Sequence, residues 1–221
     1  MELSKEKCRE IIARRVAREF SAGDVITLGI GLPTEVANYI PAELHVVTQS
    51  ENGMTGLGHR DLSQPDNPYV TNAGGIPVTH KEGAVFFDTL MSFTMIRGGH
   101  VDATVLGALQ VDEEGNLANW MVPNVFTPGM GGAMDLVVGA KRVIIAMEHT
   151  NKGVSRIVKK CTLPLTAVKE VDLIVTERAV IEVTPQGLLL KEINPLFSLD
   201  EVISSTDAEL IIPENMQLMA S

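Results

Sequence analysis

Three glycine-rich turns constrain the fold of this 221-residue chain more than any other feature of its sequence. They are Gly29-x-Gly31, Gly53-x-x-Gly56-x-Gly58 and Gly129-x-Gly131-Gly132, and we interpret each as following a short apolar strand. In open α/β sheets, ligands bind beyond the carboxyl ends of the strands, where such turns gather. We therefore predict an α/β fold with a largely parallel sheet flanked by helices. No repeat or low-complexity linker is visible, so residues 1–221 are predicted to form a single domain.

Apolar periodicity and turn residues locate the elements of this fold. Residues at helical spacing indicate helices, and short apolar runs bounded by glycine or proline indicate strands. The predicted helices are 4–20, 34–39, 89–96 and 199–204, and the predicted strands are 25–28, 44–48, 101–106, 143–147 and 173–176, with hairpins at 109–120 and 180–190. The polar stretch 56–75 is predicted to be a long loop, and loops of that length in compact domains are often functional or mobile.

The charge balance excludes some classes of protein. Against 28 acidic residues stand 18 basic ones, a net charge of −10, which argues against a nucleic-acid binder because phosphate affinity needs clustered cations. Hydrophobic residues make up 45% of the chain, enough for a substantial core, so disorder is excluded. Aromatic residues make up only 4%, which argues against a stacking site.

Cysteine usage and the N-terminal sequence indicate the cytoplasm. Cys8 and Cys161 lie far apart in unrelated contexts, so neither a disulfide framework nor a CxxC motif is available. The N-terminal segment alternates charged and apolar residues, unlike a signal peptide, and no apolar run approaches the roughly 20 residues that span a bilayer. The five histidines are scattered singly, so we expect no metal site.

The first glycine turn partly matches a dinucleotide-binding fingerprint. Gly29 and Gly31 follow a predicted strand and precede a predicted helix, and an acidic residue, Glu51, follows Gly29 by 22 positions. However, Pro33 and Thr34 stand where the third glycine of the fingerprint belongs. The motif alone is compatible with a nucleotide site or with a plain strand-to-helix turn.

Glu51 is the most informative single residue. Its carboxylate directly follows a predicted buried strand, so it is either an exposed turn residue or a functional group at the carboxyl edge of the sheet. A turn usually needs one glycine, whereas this one contains Gly53, Gly56 and Gly58. We interpret the extra glycines as clearance that lets a ligand approach the backbone.

The segment Ser50-Glu51-Asn52-Gly53-Met54-Thr55-Gly56-Leu57-Gly58 resembles the SENG signature of family I CoA-transferases. Further segments resemble the family in the same order along almost the whole chain: Gly29-Ile30-Gly31-Leu32-Pro33, Asn72-Ala73-Gly74, Met95-Ile96-Arg97-Gly98-Gly99-His100-Val101-Asp102, Leu117-Ala118-Asn119-Trp120, Gly129 to Asp135, and Cys161-Thr162-Leu163-Pro164-Leu165-Thr166. The resemblance implies a CoA-transferase-like fold and the β subunit of a two-chain enzyme of the acetate or butyrate:acetoacetate CoA-transferase type. The corresponding subunit of the succinyl-CoA:3-oxoacid CoA-transferases is the nearest relative.

The resemblance also implies a mechanism. In this family the glutamate of SENG is the nucleophile, so Glu51 is expected to form an acyl anhydride and then a glutamyl-CoA thioester in a ping-pong reaction. The expected substrates are acetoacetyl-CoA or a short-chain acyl-CoA and a short-chain carboxylate. Coenzyme A is expected to be a substrate, with no permanently bound cofactor.

Several site residues follow from the motif match. Gly132 is the expected backbone donor to the oxyanion, although it could be only a turn glycine before a helix. Asn119 is either a second polar group of the site or a hairpin asparagine that bonds local backbone. Thr27 stands where many relatives have an asparagine before Leu-Gly-Ile-Gly, and this could alter a CoA contact. The expected CoA-binding positions are Gly29, Gly31, Asn72, Gly74, Gly75, Gly98 and Gly131.

Arg97 and His100 could bind phosphate, but Arg97 could equally be a structural partner near a helix C-terminus, so neither is assigned to catalysis. The expected partner is an α subunit in an α2β2 assembly. Two other functions remain open: an acyl-CoA hydrolase that uses the same glutamate, and a nucleotide-binding module without catalysis. Acetate, butyrate, acetoacetate and succinate differ only in the shape of the acyl pocket that they need, so the sequence does not choose among them.

Overall fold

The computed structural model describes residues 3–58, 60–63, 65–125, 127 and 129–220. It confirms the α/β fold, because within these residues an 11-stranded sheet has helices packed on both faces. The helices are α1 (Lys5–Ala17), α2 (Leu32–Glu35), α3 (Thr89–Arg97), α4 (Ala133–Gly139) and α5 (Leu199–Ser204), with 3₁₀ turns at Val36–Tyr39 and Ala42–Leu44. The strands are β1 (Val25–Leu28), β2 (Val47–Ser50), β3 (Met54–Leu57), β4 (His80–Phe86), β5 (Ala103–Leu106), β6 (Gln110–Asp112), β7 (Leu117–Ala118), β8 (Val143–Ala146), β9 (Thr150–Asn151), β10 (Val154–Ser155), β11 (Ile157–Val158), β12 (Leu173–Val175), β13 (Ala179–Thr184), β14 (Gly187–Ile193), β15 (Leu210–Ile211) and β16 (Gln217–Leu218).

The centre of the large sheet is parallel. Its strand order is β15-β14-β13-β12-β8-β5-β1-β2-β3-β4, with β16 also paired to β14. The five strands β12, β8, β5, β1 and β2 run in the same direction, so their carboxyl ends lie at one edge. Antiparallel strands extend the sheet on both sides, through β3 and β4 beyond β2 and through β13 beyond β12. The expectation of a largely parallel sheet is therefore confirmed.

Alternate side chains of the central strands face two different helical layers. On one face, Ile26 and Val105 belong to the cluster that packs against α1 and α2. On the other face, Leu106 and Ile145 belong to the cluster that packs against α3, α4 and α5. Parallel strands covered on both faces read as continuous apolar runs, which is why the sequence located them. Each aliphatic side chain of this size that is buried contributes about 1.5–3 kcal/mol.

The structure differs from the predicted elements mainly between β1 and α3. The predicted strand 44–48 begins later, at Val47, because the preceding 3₁₀ turn ends at His45 with a left-handed φ of 48°. The predicted loop 56–75 begins inside β3, and neither β3 nor β4 was expected. The predicted helix 34–39 is a short α-turn, Leu32–Glu35, that continues as a 3₁₀ turn. The hairpin at 180–190 is confirmed as β13 and β14.

Two kinds of feature are not found in the described part of the chain. No helix there is both long and apolar enough to cross a bilayer. The same residues contain no group of three or more His, Cys, Asp or Glu side chains that could hold a metal ion.

Candidate active site

Glu51 lies at the carboxyl edge of the central sheet, directly after β2. One step before this edge, Gln49 of β2 is in register with Thr27 of β1, and Thr27 is in register with Thr104 of β5. The turns that follow these three strands therefore lie side by side, as the glycine pattern predicted. The Glu51 side chain is half-buried, so its carboxylate is partly shielded from water and still accessible.

The Glu51 carboxylate packs against the backbone of Gly132, the residue before α4. The Gly132 N–H donates a hydrogen bond to this carboxylate. A Cβ at position 132 would lie 3.1 Å from both Cδ and Oε1 of Glu51 and 3.1 Å from Cζ of Phe93. The backbone angles of Gly132, φ −84° and ψ 3°, occur in ordinary type I turns and do not require glycine. Position 132 therefore needs glycine because of the close approach of Glu51 and Phe93.

Burial dominates the electrostatics of Glu51. It raises the pKa of the Glu51 carboxyl above its ordinary value, the Gly132 hydrogen bond opposes that rise, and nearby Asp135 adds to it. Asp135 is paired with Arg97, whose Nε lies 2.7 Å from Oδ1. The Arg97 guanidinium also lies 5.4 Å from the ring centre of Phe93. Of the two roles considered for Arg97, these contacts correspond to the structural partner.

The glycines after Glu51 make room for a strand and not for a ligand. A Cβ on Gly53, at φ +117°, would lie 2.1 Å from the carbonyl oxygen of Phe87, just after β4. A Cβ on Gly56 would lie 3.1 Å from Cα of Ala84 in β4, and one on Gly58 would lie 2.2 Å from Oγ1 of Thr79. The interpretation of these glycines as ligand clearance was therefore wrong, because neighbouring chain already occupies the space.

Asn119 makes its side-chain hydrogen bonds within the β5–β7 region. Its Nδ2 donates to the carbonyl oxygen of Gly107 at 3.2 Å, and its Oδ1 accepts from the Thr166 hydroxyl at 2.6 Å. Gly107 directly follows β5, which is two strands from β2 and thus about 10 Å away across the sheet. The structure does not bring the amide to Glu51, and its contacts correspond to the local role considered for this asparagine.

Two of the expected CoA-binding glycines have packing roles. A Cβ on Gly29 would lie 2.9 Å from Cδ2 of Leu106, so this glycine allows the chain after β1 to approach β5. A Cβ on Gly98 would lie 2.8 Å from the carbonyl oxygen of Thr94 and 2.9 Å from the His100 ring. Gly98 ends α3, which starts beside Gly53 and runs away from the carboxyl edge. It therefore lies at the opposite end of the sheet from Glu51.

Other expected positions surround a cleft of about 610 Å³ beside Glu51. Ser50 and Asn72 line it, and Ser50 Oγ accepts a 3.1 Å hydrogen bond from the backbone of Ala73. Asn72 Oδ1 accepts hydrogen bonds from the N–H groups of Gly74 and Ile76, which fixes the shape of this wall. Gly74 also lines the cleft. Gly31, Gly75 and Gly131 have positive φ and open space around them.

Thr27 faces the interior of the protein. Its side chain is 3% exposed, and its hydroxyl donates a 2.7 Å hydrogen bond to the Thr104 hydroxyl of the neighbouring strand. In this structure the threonine that replaces the relatives' asparagine is thus used for a contact between two strands.

Sequence reasoning missed two residues that shape the surroundings of Glu51. Phe93 was seen only as an apolar helix position, and Asp135 only as part of a glycine-rich motif. Both act on Glu51 through contacts between separate helices and strands, and no local pattern reports such contacts. The only available signal was the presence of both residues within segments that resemble the family.

Comparisons with known proteins identify the family. A family model described as Coenzyme A transferase matches residues 9–205. The chain is 53% identical over 212 residues to acetate CoA-transferase subunit beta of Haemophilus influenzae, with 96% of this chain and 95% of that protein covered. It is 46% identical over 202 residues to one of the named subunits of the succinyl-CoA:3-ketoacid coenzyme A transferase of Helicobacter pylori, with 91% of this chain and 97% of that protein covered.

Solved structures show the same fold. An acyl-CoA transferase from Escherichia coli O157:H7 has a TM-score of 0.80 at 22% identity, covering 100% of this chain and 44% of the other. This chain thus spans less than half the length of that one. The decarboxylase AibA/AibB has a TM-score of 0.70 at 18% identity, covering 96% of this chain and 88% of the other. The fold alone therefore hosts more than one activity. The family model and the close relatives confirm the resemblance seen in the SENG segment, and the chain belongs to the coenzyme A transferase family of enzymes.

Proposed function

We propose that this chain transfers CoA between a short-chain acyl-CoA and a short-chain carboxylate, in a ping-pong reaction through a glutamyl-CoA thioester on Glu51. The observation that carries the proposal is the contact between the Glu51 carboxylate and the Gly132 N–H at the carboxyl edge of the sheet. It combines a carboxylate nucleophile with a backbone donor for developing negative charge. The family and the names of the relatives support the reaction class.

The proposed reaction balances without a further reactant. An oxygen of Glu51 attacks the carbonyl carbon of the acyl-CoA, and the C–S bond breaks to release CoA thiolate and leave a mixed anhydride. The thiolate attacks the glutamyl carbonyl of that anhydride, which forms the glutamyl-CoA thioester and releases the original acyl group as its carboxylate. A second carboxylate reverses these steps and leaves as the new acyl-CoA. The thioester bond is conserved provided that water does not reach the intermediates.

The surroundings of Glu51 support this role. Partial burial removes water from the carboxylate, which strengthens the interactions that it makes within the site. The Gly132 N–H opposes the rise in the Glu51 pKa, so it favours the ionised form that attacks. Both tetrahedral intermediates carry an oxyanion, and one preorganised donor to such a group is worth about 10²–10³ in rate.

We propose that the cleft beside Ser50 holds the pantetheine arm of CoA. It has a volume of about 610 Å³, which suits a ligand of that size. Asn72 and Gly74 form its wall near Glu51, and the cationic Arg60 and Lys81 also line it and suit the phosphates of CoA. The open turn positions Gly31, Gly75 and Gly131 stay in this proposal as backbone contacts of CoA. A solved acyl-CoA transferase whose fold this chain shares is described as a thioester complex with CoA, which supports a CoA site in this fold.

The names of the relatives imply an α subunit as partner, since the acetate CoA-transferase relatives are named as beta subunits. We propose an α2β2 assembly in which the α subunit completes the acyl pocket. Acetoacetyl-CoA is the proposed acyl donor, and acetate, butyrate and succinate are proposed carboxylate partners. Two of these choices agree with relatives named for acetate and for succinyl-CoA with a 3-ketoacid.

The central test is to locate CoA on the protein. The chain is co-purified with its α subunit, incubated with acetoacetyl-CoA, treated with borohydride to trap the thioester, and digested for mass spectrometry. We expect the modification on the peptide that contains Glu51, and we expect Glu51→Gln to lose CoA exchange while keeping the fold, because the change is nearly isosteric. Substantial exchange by Glu51→Gln, or a Glu51 that stays unmodified during turnover, contradicts the proposal.

The same complex distinguishes the alternative functions. A transferase releases little CoA until a carboxylate acceptor is added, and each acceptor then yields its own acyl-CoA. A hydrolase releases CoA at the same rate without an acceptor. A nucleotide-binding module forms no covalent product with acyl-CoA and retains a nicotinamide or flavin nucleotide instead.

A further inference from the structure

The side chain of Gln49 is buried one step before Glu51, and one of its polar atoms has no partner. It is 2% exposed, and its Nε2 donates a 2.8 Å hydrogen bond to the Ser92 hydroxyl of α3. Ser92 is itself fully buried. Among the side chains that the structure describes, Gln49 Oε1 is the one buried oxygen or nitrogen without a hydrogen bond. An unpaired buried acceptor destabilises a fold, so its presence here needs a reason.

The Gln49–Ser92 hydrogen bond joins the two segments that carry the Glu51 site. Gln49 lies two residues before Glu51, and Ser92 directly precedes Phe93. Glu51 and Phe93 approach the same point, since a Cβ on Gly132 would lie 3.1 Å from each of them. The hydrogen bond therefore fixes the spacing of β2 and α3 one step below the place where their next residues meet Gly132.

Gln49 also belongs to a buried polar row across the sheet. It is in register with Thr27, and Thr27 is hydrogen-bonded to Thr104 on the next strand. All three side chains are almost completely buried. Strands covered on both faces are normally apolar, and a methionine or leucine at position 49 would need no partner. A polar side chain at this point thus costs stability that the fold did not require.

Resting on the proposed role of Glu51 as nucleophile, we propose that Gln49 is a positioning residue. Its amide ties β2 to α3 through Ser92 and so holds the Glu51 carboxylate against the Gly132 N–H. Glu51 makes the covalent bond, and Gln49 acts only through its placement. The unpaired Oε1 is the cost of having an amide at this position, because only Nε2 is needed for the tie.

The test compares variants of the complex with the α subunit. Gln49→Met keeps the length of the side chain and removes both polar atoms. We expect a melting temperature equal to or above that of the wild type and a KM for acyl-CoA within about twofold. We expect kcat, and the single-turnover rate of borohydride-trapped glutamyl-CoA, to fall by about tenfold to a hundredfold, the loss that a displacement of up to 1 Å produces.

Ser92→Ala removes the other half of the tie. If Gln49 and Ser92 act as one unit, we expect the double variant to be no slower than the slower single variant. Thr206→Val is the matched control, because it removes a hydroxyl that bonds His149 at 2.9 Å, a contact made at a different part of the sheet, and should leave the rate unchanged.

Three results would overturn the inference, and they differ from a failure of the proposed function. The first is a Gln49→Met complex that labels Glu51 at the wild-type rate. The second is a Gln49→Met chain that melts well below the wild type, since the amide then serves the fold. The third is a loss of rate in Thr206→Val equal to that in Gln49→Met. A wild-type complex that never carries CoA on Glu51 instead contradicts the proposed function, and the positioning role falls with it.

Discussion

Replacing Gly132 by alanine tests whether the close approach of Glu51 matters for catalysis. The added Cβ would lie 3.1 Å from Cδ and Oε1 of Glu51, whereas carbon atoms pack at about 3.5–4.0 Å. The carboxylate must therefore retreat by about 0.4–0.9 Å, which lengthens its hydrogen bond from the Gly132 N–H. Because a misplacement of about 1 Å can cost about 10²-fold, we expect glutamyl-CoA formation to slow by about tenfold to a hundredfold, or about 1.4–2.7 kcal/mol of activation free energy.

The fold should tolerate the same change. Alanine adopts φ −84° and ψ 3° without strain, and Gly→Ala at a compatible position stabilises by about 0.4–1 kcal/mol through the unfolded chain, which offsets part of the crowding. The assay is rapid-quench mass spectrometry of the borohydride-trapped peptide, together with a thermal melt. Gly107→Ala is the matched control, because its Cβ would meet only the Ala146 carbonyl oxygen, at 4.0 Å. A wild-type rate in Gly132→Ala, or an equal loss in Gly107→Ala, refutes the reasoning.

Two further perturbations test the electrostatics of the chain. Arg97→Met removes the cation paired with Asp135, so Asp135 should raise the pKa of Glu51 further and move the acid limb of the kcat/KM pH profile to higher pH; an unmoved limb contradicts this link. His149 is fully buried between threonine hydroxyls, and burial lowers its pKa from 6.5 to about 3. The unfolded chain binds a proton below pH 6.5 that the folded chain excludes, so stability is complete above that pH and falls toward pH 3 by about 1.4 kcal/mol per pH unit. Urea unfolding between about pH 7 and pH 5 should show this slope in the wild type and a smaller one in His149→Gln, and equal slopes would count against it.

The sequence located the parallel centre of the sheet well because each strand there is buried on both faces. Val25–Leu28 was predicted to the residue, since an apolar run of four is bounded by Asp24 and Gly29. The position of Glu51 at the carboxyl edge also followed from sequence, because a strand that runs into glycine ends at that edge in a parallel sheet. These predictions depend on local patterns only.

β4 illustrates what local patterns do not report. Residues His80–Phe86 lie at the end of the sheet, and most of their side chains are exposed, so they show neither an apolar run nor an alternation. The strand forms because β3 offers unpaired backbone groups to it. Without β4 in view, the reason for Gly53 and Gly58 could not be predicted, since the atoms they avoid belong to that distant segment.

Comparing the glycines shows which of them can be linked to chemistry. The glycine requirement at positions 29 and 53 is set by neighbouring chain, Leu106 in one case and Phe87 in the other. At position 132 it is set by the Glu51 carboxylate itself. A dense run of glycines at a sheet edge therefore indicates close packing of backbone, and a ligand site requires an additional argument. Gly132 supplies that argument, because a residue that must lack a side chain to admit a carboxylate also directs its N–H at that carboxylate.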